Sequence, residues 1–403
     1  MAGMVIIGCG QAGGQAAASL RQEKYEGPIT MIGQEPYIPY QRPPLSKQYL
    51  SGEQEKEKLS LRQESFYSEK EINLMLETSV LSLDPNKKEL QLENDETVTY
   101  DKLLIATGGR PRKLEVDGHT LKGIHYLRNI DDVDAIKTQM NTSQNLVIVG
   151  GGYIGLEVAS VAIKRGLTVS VLEMESRILE RVTTEEMSAF YHQLHTDEGV
   201  NILTSTQAKA FKGSETVESV VCGDHEIPAD LVIVGIGILP NTEMAEAAGL
   251  KTNNGLVVDE HCRTSNEHIF AAGDCTNHPN PILNRRLRLE SVPNAMEQGR
   301  VAASNMLGGS KSYASMPWFW SDQYDLKLQI AGLPFEADRQ VVRGDVAAAK
   351  FAVFHLKGDL LQAVEAVNAP PEFMAGKQLI AKRTPVSADK LADLTVSMKE
   401  VAA

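Results

Sequence analysis

Two short stretches carry glycines at the spacing that lets a backbone wrap a phosphate. In MVIIGCGQAGGQAA, residues 4–17, Gly8, Gly10 and Gly13 form GxGxxG; in VIVGGGYIGLEVA, residues 147–159, Gly150, Gly152 and Gly155 repeat it. Each follows an apolar run and opens a helix-like stretch. The first glycine permits a tight turn, the second a close approach of backbone to pyrophosphate, the third the packing of helix on strand. The helix N-terminus then turns its positive end on the phosphates. A single such loop can be purely structural; two in matching contexts predict two dinucleotide sites, with Ala12 and Ile154 inside the two loops as further contacts.

The strands after the two loops differ where a ribose would sit. Glu173 closes TVSVLE, 23 residues after Gly150, where a carboxylate accepts from both ribose hydroxyls and repels a 2′-phosphate. The second site is therefore expected to take NADH over NADPH, with Arg177 nearby weighing slightly the other way. In the first loop Gln34 or Glu35 stands at the corresponding position, which leaves that ribose contact open between them.

Such loops need parallel sheets to hold them. Residues 4–8 and 29–33 read as buried parallel strands around a helix, and residues 79–106 as an antiparallel meander ending in an apolar strand. A second module starts near residue 111, with a helix at DDVDAIKTQM capped near Asp131 and a βαβ unit over 145–173. The chain returns to its first domain through IFAAGDC and a helix at 292–307, and LGGSKSYASMP reads as a linker. The expected architecture is α/β: two nested, Rossmann-like dinucleotide domains, the second inserted in the first, and a small C-terminal α+β domain. The boundaries are 1–110 and 237–316 for the first, 111–236 for the second and 317–403 for the third. In the third, a hairpin turns at Lys357–Asp359 and a helix follows Pro371.

With 42% hydrophobic and 23% charged residues, the 403-residue chain has the composition of an ordinary globular protein. A net charge of −13 argues against general binding to nucleic acid or anionic membranes. No apolar run approaches a membrane span, and the first strand leaves no room for a leader, so a cytoplasmic location is expected. The nine histidines and four cysteines show no metal-ligand spacing, and those in NEHIF and TNHPNP read as loop histidines.

The nested layout resembles the two-dinucleotide-domain flavoprotein reductases over essentially the whole chain. ATGGRP, VGIGILPNTE and IFAAGDC carry that resemblance, and PYQRPPLSK, RLESVPNAMEQGR and PWFWSDQY narrow it to the oxygenase-coupled, NADH-dependent ferredoxin reductases. It implies FAD, bound non-covalently, in the first cradle and NADH in the second. Around the flavin it sets Arg42, Lys47, Val80 and Arg128, the loop Ala106–Thr107–Gly108, Gly273 with Asp274 bonding the ribityl chain, and Glu290–Ser291–Val292; Gly237 falls to the NADH side. Lys47 is implied near flavin N5, paired with Glu157, where it would stabilise the reduced anionic flavin while Glu157 helps seat the nicotinamide amide.

What is missing points to the electron acceptor. Relatives that reduce a thiol need a reactive cysteine about where PPLSK stands or a CxxC in the inserted domain, and neither is present. Cys9 and Cys275 read as small buried residues. The resemblance implies instead single-electron transfer to a [2Fe–2S] ferredoxin that feeds an oxygenase, a haem monooxygenase or a Rieske dioxygenase. Trp320 is implied at the exposed flavin edge. Because such ferredoxins are acidic like this chain, Arg285, Arg286, Arg288 and Arg300 are expected to reverse the repulsion locally. A rubredoxin reductase, a peroxide-forming NADH oxidase and a non-catalytic protein resembling apoptosis-inducing factor are the competing readings; the acidic balance counts against the last.

Overall fold

The computed structural model describes residues 2–334 and 336–402. Two compact units emerge: one comprises residues up to 41, 57–110 and 239–319, the other 42–56, 111–238 and 320 onward.

In the first unit, β1 (Gly3–Ile7), α1 (Gln11–Gln22) and β2 (Ile29–Ile32) form the expected βαβ turn. The sheet runs Ile72–Met75, β2, β1, Thr97–Ile105, with Ile269–Ala271 joining the far side of Thr97–Ile105, all parallel. The meander strands Glu89–Leu92 and Val80–Asp84 extend it antiparallel. β1 is buried on both faces, which is why its sequence is a continuous apolar run. The small residues of α1, among them Ala12, Ala16 and Ala17, let it pack closely with the helix Val292–Met306 in one core with Ile6 and Phe270.

The stretch that reads as a linker is not loose. Tyr313 is buried, its N–H donates to Glu260 O and its hydroxyl to Asn294 Oδ1, while the Asn305 side chain bonds Lys311 in both directions. Glycine and serine here serve tight backbone turns against a packed surface rather than flexibility.

The second unit repeats the pattern with β3 (Asn145–Val149), α2 (Tyr153–Lys164) and β4 (Thr168–Leu172), followed by α3 (Glu185–Asp197) and β5 (Leu231–Val234). Its parallel sheet runs Asn201–Leu203, β4, β3, β5, Ile124–His125. The helix Ile130–Met140 is capped two residues earlier than Asp131: Asn129 accepts from Asp132 N–H and Asp132 answers at Asn129 N–H, a reciprocal capping box. The C-terminal sheet runs β6 (Trp318–Gln323), Leu326–Gly332, Leu360–Val367, Lys350–Lys357, Arg339–Asp345, with the helix Pro370–Lys382 against it. Thr183 and Thr184 hydroxyls donate to the buried Glu365 carboxylate of that sheet, tying it to the loop before α3.

Candidate functional site

The two glycine loops have matching geometry. Gly8 N–H donates to Ile32 O and Gly150 N–H to Leu172 O; Ala106 N–H donates to Ile7 O and Gly235 N–H to Val149 O. Gly8 and Gly150 hold φ of +111° and +113°, and a Cβ there would lie 2.2 Å from Ala106 O and 2.4 Å from Gly235 O. A Cβ on Gly13 would meet Gly8 O at 2.0 Å, and one on Gly155 would meet Gly150 O at 2.3 Å. The middle glycines are different in kind: no described atom lies within 4 Å of a Cβ built on Gly10 or Gly152. That open space lies above helices whose N-caps are those glycines, with no side-chain cap and no acidic residue in the first turn. The helices at Ile130, Glu185 and Val292, by contrast, are capped by Asn129, Thr184 and Ser291. Uncapped amides facing empty space suit an anionic ligand, and both cradles fit a dinucleotide pyrophosphate.

The register separates the cradles at the ribose. Ile7 pairs with Ile32 and Val149 with Leu172, so the residue matching Glu173 is Gly33, and not Gln34 or Glu35. The loop compensates: Cys9 stands where the second cradle has Gly151, its Sγ 2.7 Å from the position a Gly33 Cβ would take. Glu173 uses both oxygens locally, Oε2 accepting from Gly151 N–H (2.8 Å) and Oε1 from Glu175 N–H (2.9 Å), which fixes the carboxylate at the strand end. Glu35 accepts from the Tyr40 hydroxyl at 2.5 Å, and Gln34 reaches Ser79.

Other expected contacts fall as follows. Thr107 and Gly108 lie at the end of Thr97–Ile105 and are bonded to Asn241, which joins ATGGRP to LPNTE. Gly237, at φ +100°, accepts from Arg112 N–H. Val80 opens a strand of the meander. Gly273 N–H, beside Asp274, donates to Gln298 Oε1, whose Nε2 is buried with no partner among the described residues. Ser291 caps the helix that Val292 begins, and Glu290 pairs with Arg288. Ile154, the second residue of α2, is 46% exposed.

The second unit also brings together Lys47 and Glu157. Lys47 Nζ lies 2.7 Å from Glu157 Oε2, with side chains only 10% and 4% exposed. The neighbouring Ser46 hydroxyl donates to the same oxygen (2.5 Å), and Ser321 donates to Oε1 (2.6 Å). The PPLSK turn that carries the lysine is stiffened by Pro43 and Pro44 and packs on α2. Arg42 donates to Arg128 O (2.7 Å), whose own N–H is held by Asp132. The two serines carry no motif of their own, so the motif reading missed them.

The arginine run does not form one cationic face. Arg285 and Arg286 lie in a strand, opposite Asn280 and Pro279, so their side chains leave on opposite faces. Arg286, although exposed, is tied down, donating to Asn277 Oδ1, Asn277 O and Val258 O. Arg288 donates to Asn254 Oδ1 and pairs with Glu290; Arg300 pairs with Glu297. His278 is likewise no loop residue: it is 1% exposed within the strand Thr276–Asn280, edge-on to Tyr313.

None of the four cysteines is poised for redox work. Burial pushes the Cys9 thiol up to about 12, with the Glu35 charge adding to it, and Cys275 to about 11; Cys222 and Cys262 are raised as well. Alkylation under native conditions is expected to leave NADH-driven ferricyanide reduction unchanged, as assays before and after iodoacetamide will show. No group of three or more His, Cys, Asp or Glu among the described residues could hold a metal ion, and no described helix is long and apolar enough to cross a membrane.

Two phosphate-binding loops, a buried lysine–carboxylate pair and unreactive thiols define a two-nucleotide oxidoreductase that does not use its own cysteines. Residues 3–299 match the pyridine nucleotide-disulphide oxidoreductase family, and residues 318–402 match the reductase C-terminal domain. The chain belongs to the pyridine nucleotide-disulphide oxidoreductase family, whose members use FAD and NAD(P)H. It is 43% identical to putidaredoxin reductase CamA of Pseudomonas putida, over 99% of this chain and 96% of that one. A crystal structure of the covalent putidaredoxin reductase–putidaredoxin complex superposes with a TM-score of 0.96 at 43% identity, covering 99% of this chain and 98% of that one. The ferredoxin reductase for the CYP199A2 system from Rhodopseudomonas palustris gives 0.97 at 38% identity, over the whole of both chains.

Proposed function

We propose that this chain is an NADH-dependent ferredoxin reductase: electrons from NADH leave it singly for a [2Fe–2S] ferredoxin that feeds an oxygenase, in the cytosol. The observation that carries this is a doubled nucleotide cradle in a chain whose thiols, three buried and Cys9 half-buried, are all raised in pKa by burial. With no internal acceptor, the electrons must go to a partner, and the relatives named above reduce or bind ferredoxins.

FAD at the first cradle supplies acceptance of a hydride and its release as single electrons. Gly8, Gly10, Gly13 and the first-turn amides of α1 hold its pyrophosphate, with Ala12 beside them. Gly150, Gly152 and Gly155 do the same for NADH, and Glu173 binds the ribose hydroxyls. Glu157 would seat the nicotinamide amide and Lys47 would supply positive charge to the same site, where positioning and electrostatics are most of what a protein can add. For docking, Arg285 and Arg300 are the arginines to vary, since the guanidinium groups of Arg286 and Arg288 are already engaged with Val258, Asn277, Asn254 and Glu290.

Anaerobic titration with NADH followed by purified ferredoxins tests the reading. Bleaching of a yellow protein, and reoxidation by a [2Fe–2S] ferredoxin in preference to rubredoxin or air, is expected; peroxide as the main product in air overturns it. Trp320→Ala is expected to impair ferredoxin reduction by about tenfold while sparing ferricyanide; equal loss in both assays removes Trp320 from the exit route. Glu173→Ala should lower kcat/KM for NADH by about tenfold and narrow its advantage over NADPH, which a paired steady-state comparison measures.

A further inference from the structure

Ser321, the third donor to Glu157, begins a hydrogen-bonded line that runs away from the site. Gln323 Nε2 donates to Ser321 Oγ (3.1 Å), Gln323 Oε1 faces His195 Nε2 (2.8 Å), and the Tyr324 hydroxyl lies 3.0 Å from His195 Nδ1. Ser321, Gln323 and His195 are all 0% exposed. The line joins β6 to α3: Ser321 and Gln323 share one face of the strand by alternation, with Trp320 and Asp322 on the other.

Its polarity is forced. A carboxylate only accepts, so Ser321 gives its one proton to Glu157 Oε1. The serine oxygen then accepts from the Gln323 amide, which turns the amide oxygen toward His195. His195 must carry its proton on Nε2, and Nδ1 accepts from the Tyr324 hydroxyl. Burial lowers the His195 pKa to about 4, so the ring is neutral near pH 7, with one donor and one acceptor as this order requires. An amide in mid-line is a poor conductor of protons but a good reader of orientation. A line of this kind fixes the far end, and apolar side chains of the same size would fill the space at less desolvation cost.

We infer that Ser321, Gln323 and His195 are positioning residues that lock the Glu157 carboxylate in the orientation that seats the nicotinamide. This rests on the reading of Glu157 given above. The same strand thereby sets the carboxylate from one face and carries Trp320 on the other.

The test uses the FAD-loaded protein and two readouts: NAD+ affinity of the oxidised form by calorimetry, and the rate of flavin bleaching by NADH in anaerobic rapid mixing. Ser321→Ala is expected to weaken NAD+ binding and slow bleaching by about tenfold each, and Ser321→Thr, which keeps the hydroxyl, to restore both. Gln323→Glu should behave as Ser321→Ala, because it draws the serine proton away from Glu157 with little change of shape. In a Glu157→Gln background Ser321→Ala should add nothing further. Normal values in Ser321→Ala, or a loss that persists undiminished in the Glu157→Gln background, overturn the inference. Should Glu157→Gln itself leave affinity and bleaching unchanged, it is the underlying role of Glu157 that fails, and the line loses its purpose with it.

Discussion

Gly13→Ala is expected to yield colourless protein. The new methyl carbon would sit 2.0 Å from Gly8 O and 3.2 Å from the Ile6 side chain, so α1 must lift off β1 and take its first-turn amides with it. Retained flavin, read from the visible spectrum against total protein, should fall below about a tenth of the wild-type ratio. Gly10→Ala separates the cradle's shape from its content. Beyond its own chain neighbours and helix, no described atom lies within 4 Å of a Cβ there, so the fold should melt unchanged without flavin, yet the methyl would take the place proposed for the phosphate. Loss of colour at an unchanged melting temperature of the flavin-free protein is the expected signature. Gly152→Ala, its counterpart, should stay yellow and raise KM for NADH.

Lys47→Met should combine the largest loss of NADH-driven reduction with a clear loss of stability. It removes the cationic partner of a carboxylate that is 4% exposed and leaves it two hydroxyl donors, Ser46 and Ser321. Breaking a buried pair from one side costs about 3 kcal/mol, which denaturant unfolding will show. Flavin bleaching by NADH should slow by about a hundredfold, since both the charge and the orientation of Glu157 are disturbed. Lys47→Met/Glu157→Gln, which removes the pair together, should recover much of the stability and none of the rate.

The sheets and cradles were legible because their physics is local. A continuous apolar strand, three spaced glycines and a helix follow one another within about twenty residues, and the elements stand within a residue or two of expectation. The Lys47–Glu157 pair was reached only through resemblance, for nothing local in PPLSK distinguishes a buried lysine from a solvated one. The line from Ser321 to His195 was not legible at all. Ser321, Gln323 and Tyr324 stand together, but His195 and Glu157 lie 128 and 164 residues from their partners in the line, and a buried serine or glutamine in a strand carries no pattern. The arginine run misled for a local reason: closeness in sequence reads as closeness in space, whereas a strand sends neighbours to opposite faces. His278 misled in the same way, its turn-like flanks hiding a strand.

The exchange of bulk between Cys9–Gly33 and Gly151–Glu173 bears on how each loop is tied to the end of its sheet. In the second, a carboxylate at the strand end takes the loop's own N–H, so the residue that closes the strand also braces the turn; in the first, a sulfur atom fills that corner against bare glycine. Trading a few atoms between loop and strand end thus swaps a polar brace for an apolar plug, so that losing the Glu173 side chain would slacken the second turn while the first has no such strut to lose.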